Sequence, residues 1–237
     1  MNASLGNVAI LCVGGGAAGF IGASYLSAVH ELGIEYHQVY GTSVGALNGA
    51  LFHQRDLDGL KNIWMNIRNK DVFISNLITN SGILDTRASI YDASPLEKLI
   101  NRVVDEIKLL FQSETLYCAV TDIESERGML INLSKIKGPS RPWLIASATP
   151  PVFFSPYRIA DKYYYDGGLG ENINIANAVK NKADTIIVLC PRGKLKSTRI
   201  SNGFDALRFV TRRQSSYMLE KEIGFVDVMS KVPGTRH

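Results

Sequence analysis

Cysteine and histidine are both scarce in this chain. The three cysteines, Cys12, Cys118 and Cys190, each lie in an apolar, strand-like run. An odd number in such settings argues against a disulfide framework and for small core residues, with a reducing compartment favoured. The four histidines, His30, His37, His53 and His237, share no metal-ligand spacing with the cysteines, so no metal is expected. Repeats, low-complexity tracts and long linkers are also missing. Charged residues make up 20% against 46% hydrophobic, which excludes a disordered chain. A length of 237 residues suits one α/β domain over 1–237 better than two.

Residues 8–29 carry no charge at all. The length approaches that of a membrane span or secretory leader. No Lys or Arg precedes it, however, and its middle holds Gly14, Gly15, Gly16, Gly19 and Gly22. A buried strand, a glycine turn and a buried helix explain it better. Neither a signal peptide nor a transmembrane helix is expected, and the location expected is the cytoplasm or the periphery of a membrane. The net charge is +4, and much of the excess lies in 192–213, where Arg192, Lys194, Lys196, Arg199, Arg208, Arg212 and Arg213 face only Asp205. Such a patch suits an anionic membrane surface, although a solvated loop and helix face explains the same charge. No recognition motif accompanies it, so no nucleic-acid partner is expected.

Hydrophobic patterning supplies the elements. Val8–Val13 reads as a buried strand, Phe20–Leu32 as a helix ended by Gly33, and Gln38–Tyr40 as a second strand before a helix that begins at Ser43. A β-α-β-α opening implies a three-layer α/β/α fold with a mostly parallel central sheet. Residues 57–80 read as helix, then irregular chain. Ser94, Pro95 and Glu97 form a serine-capped helix start, and Leu96, Leu99, Ile100, Val103, Val104 and Ile107 continue it at helical spacing as a core-facing stripe. Leu116–Thr121 and Met129–Leu133 read as strands and Trp143–Ala148 as a short helix. Tyr157–Ile159 and Tyr163–Tyr165 read as a hairpin. Ile175–Lys182 is expected as a helix, Thr185–Cys190 as a buried strand and Gly203–Ile223 as a last amphipathic helix.

What is present in place of histidine is glycine and serine at strand ends. Gly41-Thr42-Ser43-Val44-Gly45 sits where a strand meets a helix, the setting of a nucleophile elbow. Gly14-Gly15-Gly16-Ala17-Ala18-Gly19 follows the first strand, and its N–H groups suit a small anion such as the oxyanion of an attacked ester. Asp166 is delivered by a strand into the turn Gly167-Gly168. A serine needs a base. After Asp166 only His237 follows; His30 and His37 flank the end of the first helix; His53 lies ten residues beyond Ser43, about 15 Å along a helix. Asp166 acting directly on Ser43 is the simpler arrangement. A rival reading is open: Gly14-x-Gly16-x-x-Gly19 matches the dinucleotide-binding fingerprint of an oxidoreductase. That fingerprint wants an acidic residue at the end of the second strand, and Glu35 precedes that strand.

These segments together resemble the patatin-like phospholipases, serine lipid acyl hydrolases with a Ser-Asp dyad. The glycine loop, Gly41–Ala46, and Asp166-Gly167-Gly168 match the family's motifs in the family's order. Ala146–Phe153 resembles its small-residue segment before the last active-site strand. Two positions depart: Ala18 stands where the family usually has Arg or Lys, and Asn174 where proline is common. The resemblance implies a patatin-like fold and phospholipase A-type cleavage of fatty-acyl esters without metal or organic cofactor. It implies Ser43 as nucleophile, Asp166 as base and an oxyanion hole from Gly14, Gly15, Gly16, Ala17 and Val44. Gly41, Gly45, Gly167 and Gly168 are the elbow and turn glycines. Val152, Phe153, Phe154 and Tyr164 are candidates to line an acyl site, although core packing would use the same residues. The implied partner is a phospholipid or other acyl ester, with peripheral membrane contact. A soluble esterase or thioesterase on small acyl groups would share every motif.

Overall fold

The computed structural model describes residues 5–75, 89–170 and 174–191, with Tyr217, Glu220 and Lys221 beyond them. The elements in chain order are β1 (Val8–Cys12), α1 (Gly19–Glu31), β2 (Gln38–Thr42), α2 (Val44–His53), α3 (Leu57–Asn66), β3 (Ile74–Ser75), β4 (Tyr91–Asp92), α4 (Ser94–Val103), α5 (Glu106–Leu110), β5 (Thr115–Asp122), β6 (Arg127–Asn132), α6 (Arg141–Ser147), β7 (Tyr157–Ile159), β8 (Lys162–Asp166), α7 (Ile175–Lys180) and β9 (Thr185–Leu189). The uncharged run over 8–29 is therefore strand, glycine turn and helix. Among the described residues no helix is long and apolar enough to cross a membrane.

A seven-stranded sheet runs β7-β8-β5-β2-β1-β9, with β6 also on β5. Its centre is parallel: β9 on β1, β1 on β2 and β2 on β5. Strands β6, β8 and β7 add antiparallel pairs on one side. Alternation along β1 divides the core. Val8, Ile10 and Cys12 face one side, with Leu26 of α1, Leu51 of α2, Leu60 of α3, Ile100 of α4 and Leu144 of α6. Ala9, Leu11 and Val13 face the other, with Tyr40 and with Ile175 and Ala178 of α7. Helices flank the sheet on both faces, unequally among the described residues.

The register decides where the sheet's functional ends meet. A strand has two edges, and β6 takes one edge of β5 over 117–122. On the other edge β2 pairs as far as Thr42 opposite Ala119. Strand β8, running the opposite way, ends with Asp166 opposite Val120, the next residue. The carboxyl ends of β2 and β8 thus abut head to head on a shared edge.

Several expectations are corrected. Ala93, not Ser94, caps α4, and Asp92 accepts the N–H and hydroxyl of Ser94 at 2.9 Å each. The continuous stripe to Ile107 breaks at Val104, whose backbone is extended, and Ile107 lies exposed on the separate helix α5. Cys12 and Cys118 are buried as free thiols, but Cys190 is half-buried just beyond β9. The helix expected over Gly203–Ile223 and the basic stretch 192–213 lie outside the described residues, save Tyr217, Glu220 and Lys221.

Candidate active site

Ser43 joins β2 to α2 with φ 56 and ψ −134, a conformation that costs a non-glycine residue on the order of 1–3 kcal/mol. The flanking glycines supply space, not strain relief of their own. A Cβ on Gly41 would overlap Cα of Ala46, and one on Gly45 would overlap the carbonyl oxygen of Cys12 in β1. Helix α2 can therefore start hard against the sheet. The Ser43 carbonyl accepts the Ala46 N–H at 2.9 Å, and the Ser43 N–H donates to Ser147 Oγ at 2.9 Å.

Asp166 closes β8. Its N–H donates to the Thr149 carbonyl at 3.1 Å, and its own carbonyl accepts the Thr121 hydroxyl at 2.9 Å. A Cβ on Gly167 would overlap the Ala119 backbone, so the turn lies flat on β5. The Gly168 N–H donates to Asp166 Oδ1 at 2.8 Å. The Ser43 side chain faces the same carboxyl group, closely enough to act on its pKa. Burial raises the Asp166 pKa from 3.8 to about 6, while the Gly168 N–H and the neighbouring Ser43 hydroxyl pull it down. The result is a carboxylate still ionised at neutral pH, yet a stronger base than an exposed one.

The glycine loop completes the group. A Cβ on Gly14 would stand 2.8 Å from Ser43 Cβ and 3.0 Å from the Thr42 carbonyl oxygen, so Gly14 lies directly against the candidate nucleophile. Gly15, Gly16 and Ala17 are exposed, and a tight turn over Gly16–Ala18 is closed by Ala18 N–H on the Gly15 carbonyl at 3.1 Å. The N–H groups of Gly15, Gly16, Ala17 and Val44 donate to no acceptor among the described residues. Open donors at a turn and at the first residue of a helix suit developing negative charge.

The remaining candidates separate. Phe153 and Phe154 gather around Tyr91, with ring centroids 6.2 and 6.1 Å away, and Phe73 stacks on Tyr91 at 4.1 Å. Val152 is half-exposed at φ 71, tied by Ile90 N–H to its carbonyl at 3.2 Å. Tyr164 is not part of this cluster: it is buried in the main core, edge-on to Trp143 at 5.1 Å. It alternates onto the same face of β8 as Asp166, where it packs into that core.

No histidine among the described residues approaches Ser43. His53 is fully buried at the far end of α2, and burial lowers its pKa to about 4. His30 and His37 line a cavity of about 530 Å³ with Tyr36, Arg55 and Glu114, at the amino ends of β2 and β5, the end of those strands away from Ser43. Glu35 lines it too, so an acidic ribose ligand is not delivered beside the glycine loop. Among the described residues no three His, Cys, Asp or Glu side chains gather as a metal site. His237 lies outside the described residues. The residues that the sequence did not single out individually are Ser147 and Thr149. They lay within Ala146–Phe153, but nothing local showed which hydroxyl or carbonyl would face the site.

Comparison with known proteins follows the same lines. The crystal structure of VipD from Legionella pneumophila is similar at 14% identity and a TM-score of 0.49, over 77% of this chain. This chain spans about half of that protein, 49% of its length. No curated protein matches the chain. The profile of the patatin-like phospholipases matches residues 11–179, an interval that holds the glycine loop, the elbow and the Asp166 turn. That interval is well over half of the 237 residues, and the chain belongs to the patatin-like phospholipase family.

Proposed function

We propose that the protein is a phospholipase A-type lipid acyl hydrolase that works through an acyl-Ser43 intermediate with Asp166 as general base. The observation that carries this reading is the meeting of Ser43, at the end of β2, with the buried carboxyl group of Asp166, at the end of β8, beside open N–H donors. Ser43 Oγ attacks the acyl carbonyl carbon as its proton passes to Asp166. The carbonyl electron pair moves to oxygen, and the oxyanion is held by the N–H groups of the Gly14–Ala17 loop and Val44. On collapse the C–O bond to the leaving lysolipid breaks, and the leaving oxygen takes the proton from Asp166. Water then gives a proton to Asp166 as it attacks the acyl-serine; on collapse the bond from carbon to Ser43 Oγ breaks, Oγ takes that proton back from Asp166, and the fatty acid leaves. Each step balances with two side chains and water.

Asp166 at about 6 lies near working pH, where a base is both ionised and effective. Oxyanion donors contribute on the order of 10²–10³ each in rate. The apolar surface of Val152, Phe153 and Phe154 follows closely on Thr149, which holds Asp166, and is the proposed acyl-binding side of the site.

Purified protein should release fatty acid from phospholipid vesicles and label with a fluorophosphonate at Ser43. Ser43→Ala should lose both while keeping its thermal transition. Turnover near wild type in that variant would sink the proposal. Activity confined to monomeric short-chain esters would assign the same chemistry to a soluble esterase.

A further inference from the structure

We propose that the turn Ala146–Thr149 is a positioning clamp that fixes both halves of the candidate dyad, with Ser147 holding the backbone of the nucleophile. The proposal rests on the reading of Ser43 and Asp166 given above and assigns a role to residues outside the reacting pair. Ser147 ends α6 and is 0% exposed, and its Oγ accepts the Ser43 N–H at 2.9 Å. Thr149, also 0% exposed, accepts the Asp166 N–H on its carbonyl at 3.1 Å. The turn is closed on itself: the Thr149 hydroxyl donates to the Ala146 carbonyl at 2.8 Å, and the Ala148 N–H to Ile145 at 2.9 Å. Its root is anchored as well. Glu106 accepts the N–H groups of Ser140 and Arg141, at the start of α6, at 2.8 and 2.9 Å. One short turn therefore reaches the main chain of both residues.

The physical need is at Ser43. At positive φ its N–H leaves the β2 ladder and does not join α2, so it requires an acceptor from elsewhere. An N–H withdrawn from water and left without an acceptor is destabilising. Without Ser147 Oγ, relaxation of φ toward the ordinary region would relieve that loss and carry the Ser43 hydroxyl off Asp166. Alanine at 147 would fill nearly the same space and supply no acceptor, so the hydroxyl is the functional part.

The experiment compares Ser147→Ala with wild type in steady-state kinetics, pH profile and thermal melts. The expected result is kcat lower by about 10²-fold with KM within about twofold, the size of effect that misplacing a reacting group produces. The acid limb of the profile should also move to higher pH, because Asp166 loses the neighbouring Ser43 hydroxyl that holds its pKa down. Cys118 faces both Ser147 and Asp166, but burial pushes its thiol up to about 12, so it stays neutral and does not contribute to that limb. Unchanged kcat, or a loss of kcat with the limb unmoved, would overturn the proposal. A measurement on the unaltered protein covers failure of the variant to fold: the Ser43 amide should be protected from hydrogen exchange. Exchange at the open-chain rate would also overturn it. Failure of the underlying reading shows separately, as turnover retained in Ser43→Ala.

Discussion

At Ser43 the strain sits on the proposed nucleophile. A serine at φ 56 is tolerated because Ser147 and the start of α2 hold it from two sides. The partner Asp166 is held by burial at about 6, and that value sets an expected profile. The rate constant kcat/KM should rise about tenfold per pH unit below about 6 and level above it, as Asp166 ionises. Asp166→Asn keeps the shape but cannot accept a proton, and should lower kcat by about 10²–10⁴-fold. Stopped assays across pH 4.5–8.5, spanning the Asp166 value of about 6, check both. Ser43 and Asp166 were legible in the sequence because each stands beside glycines at the end of a strand-like run. Tyr164 could not be placed from the sequence: an aromatic near a motif reads equally as site wall or as core, and its burial in the main core edge-on to Trp143 is a matter of tertiary packing.

At the scale of elements, the break between α4 and α5 is instructive. Leucine and isoleucine spacing continues through it, so pattern alone reads one helix. Gln54, from the end of α2, donates to the Val103 carbonyl and accepts the Asp105 N–H, each at 2.9 Å. A residue distant in sequence thus satisfies the backbone on both sides of the break, while the Asp105 carboxylate caps α5 at the N–H groups of Ile107 and Lys108. Gln54→Ala should strand two half-buried backbone groups and lower unfolding stability by about 1–3 kcal/mol. Urea unfolding measures it, and a change below about 0.5 kcal/mol would show that water or α4 itself replaces the amide. Glycine at 33 is the contrary case. Its φ of 63 and its N–H on the His30 carbonyl at 2.9 Å end α1 by local means, and there the sequence sufficed.

Over the whole molecule, two buried titrating groups oppose each other. The folded pKa of His53 is about 4, below the 6.5 of the free group. Between those values the unfolded chain takes the proton and the folded one does not, so this contribution is full above 6.5 and lost as pH falls toward 4. The folded pKa of Asp166 is about 6, above 3.8. Its contribution is full below 3.8 and lost as pH rises through 6. Removing the carboxylate unmasks the difference. Asp166→Asn should be more stable than wild type at pH 8 by about 3 kcal/mol, and the gain should fade toward pH 4. Denaturant unfolding at the two pH values decides; an equal effect at both would mean that the carboxylate is not buried.

The chain's own order of residues determined the alternation of strands and helices, the turn glycines, and the shortage of histidine that makes Asp166 the proposed base. These follow from local sterics and from the period of apolar residues, which need no partner to be read. The meeting of Ser43 with Asp166 did not follow from them. It was decided when β2 and the reversed β8 came to share one edge of β5, with adjacent residues Ala119 and Val120 as their last partners. Strand order and register are set by which faces bury together across the whole sheet, and that is a property no single segment carries.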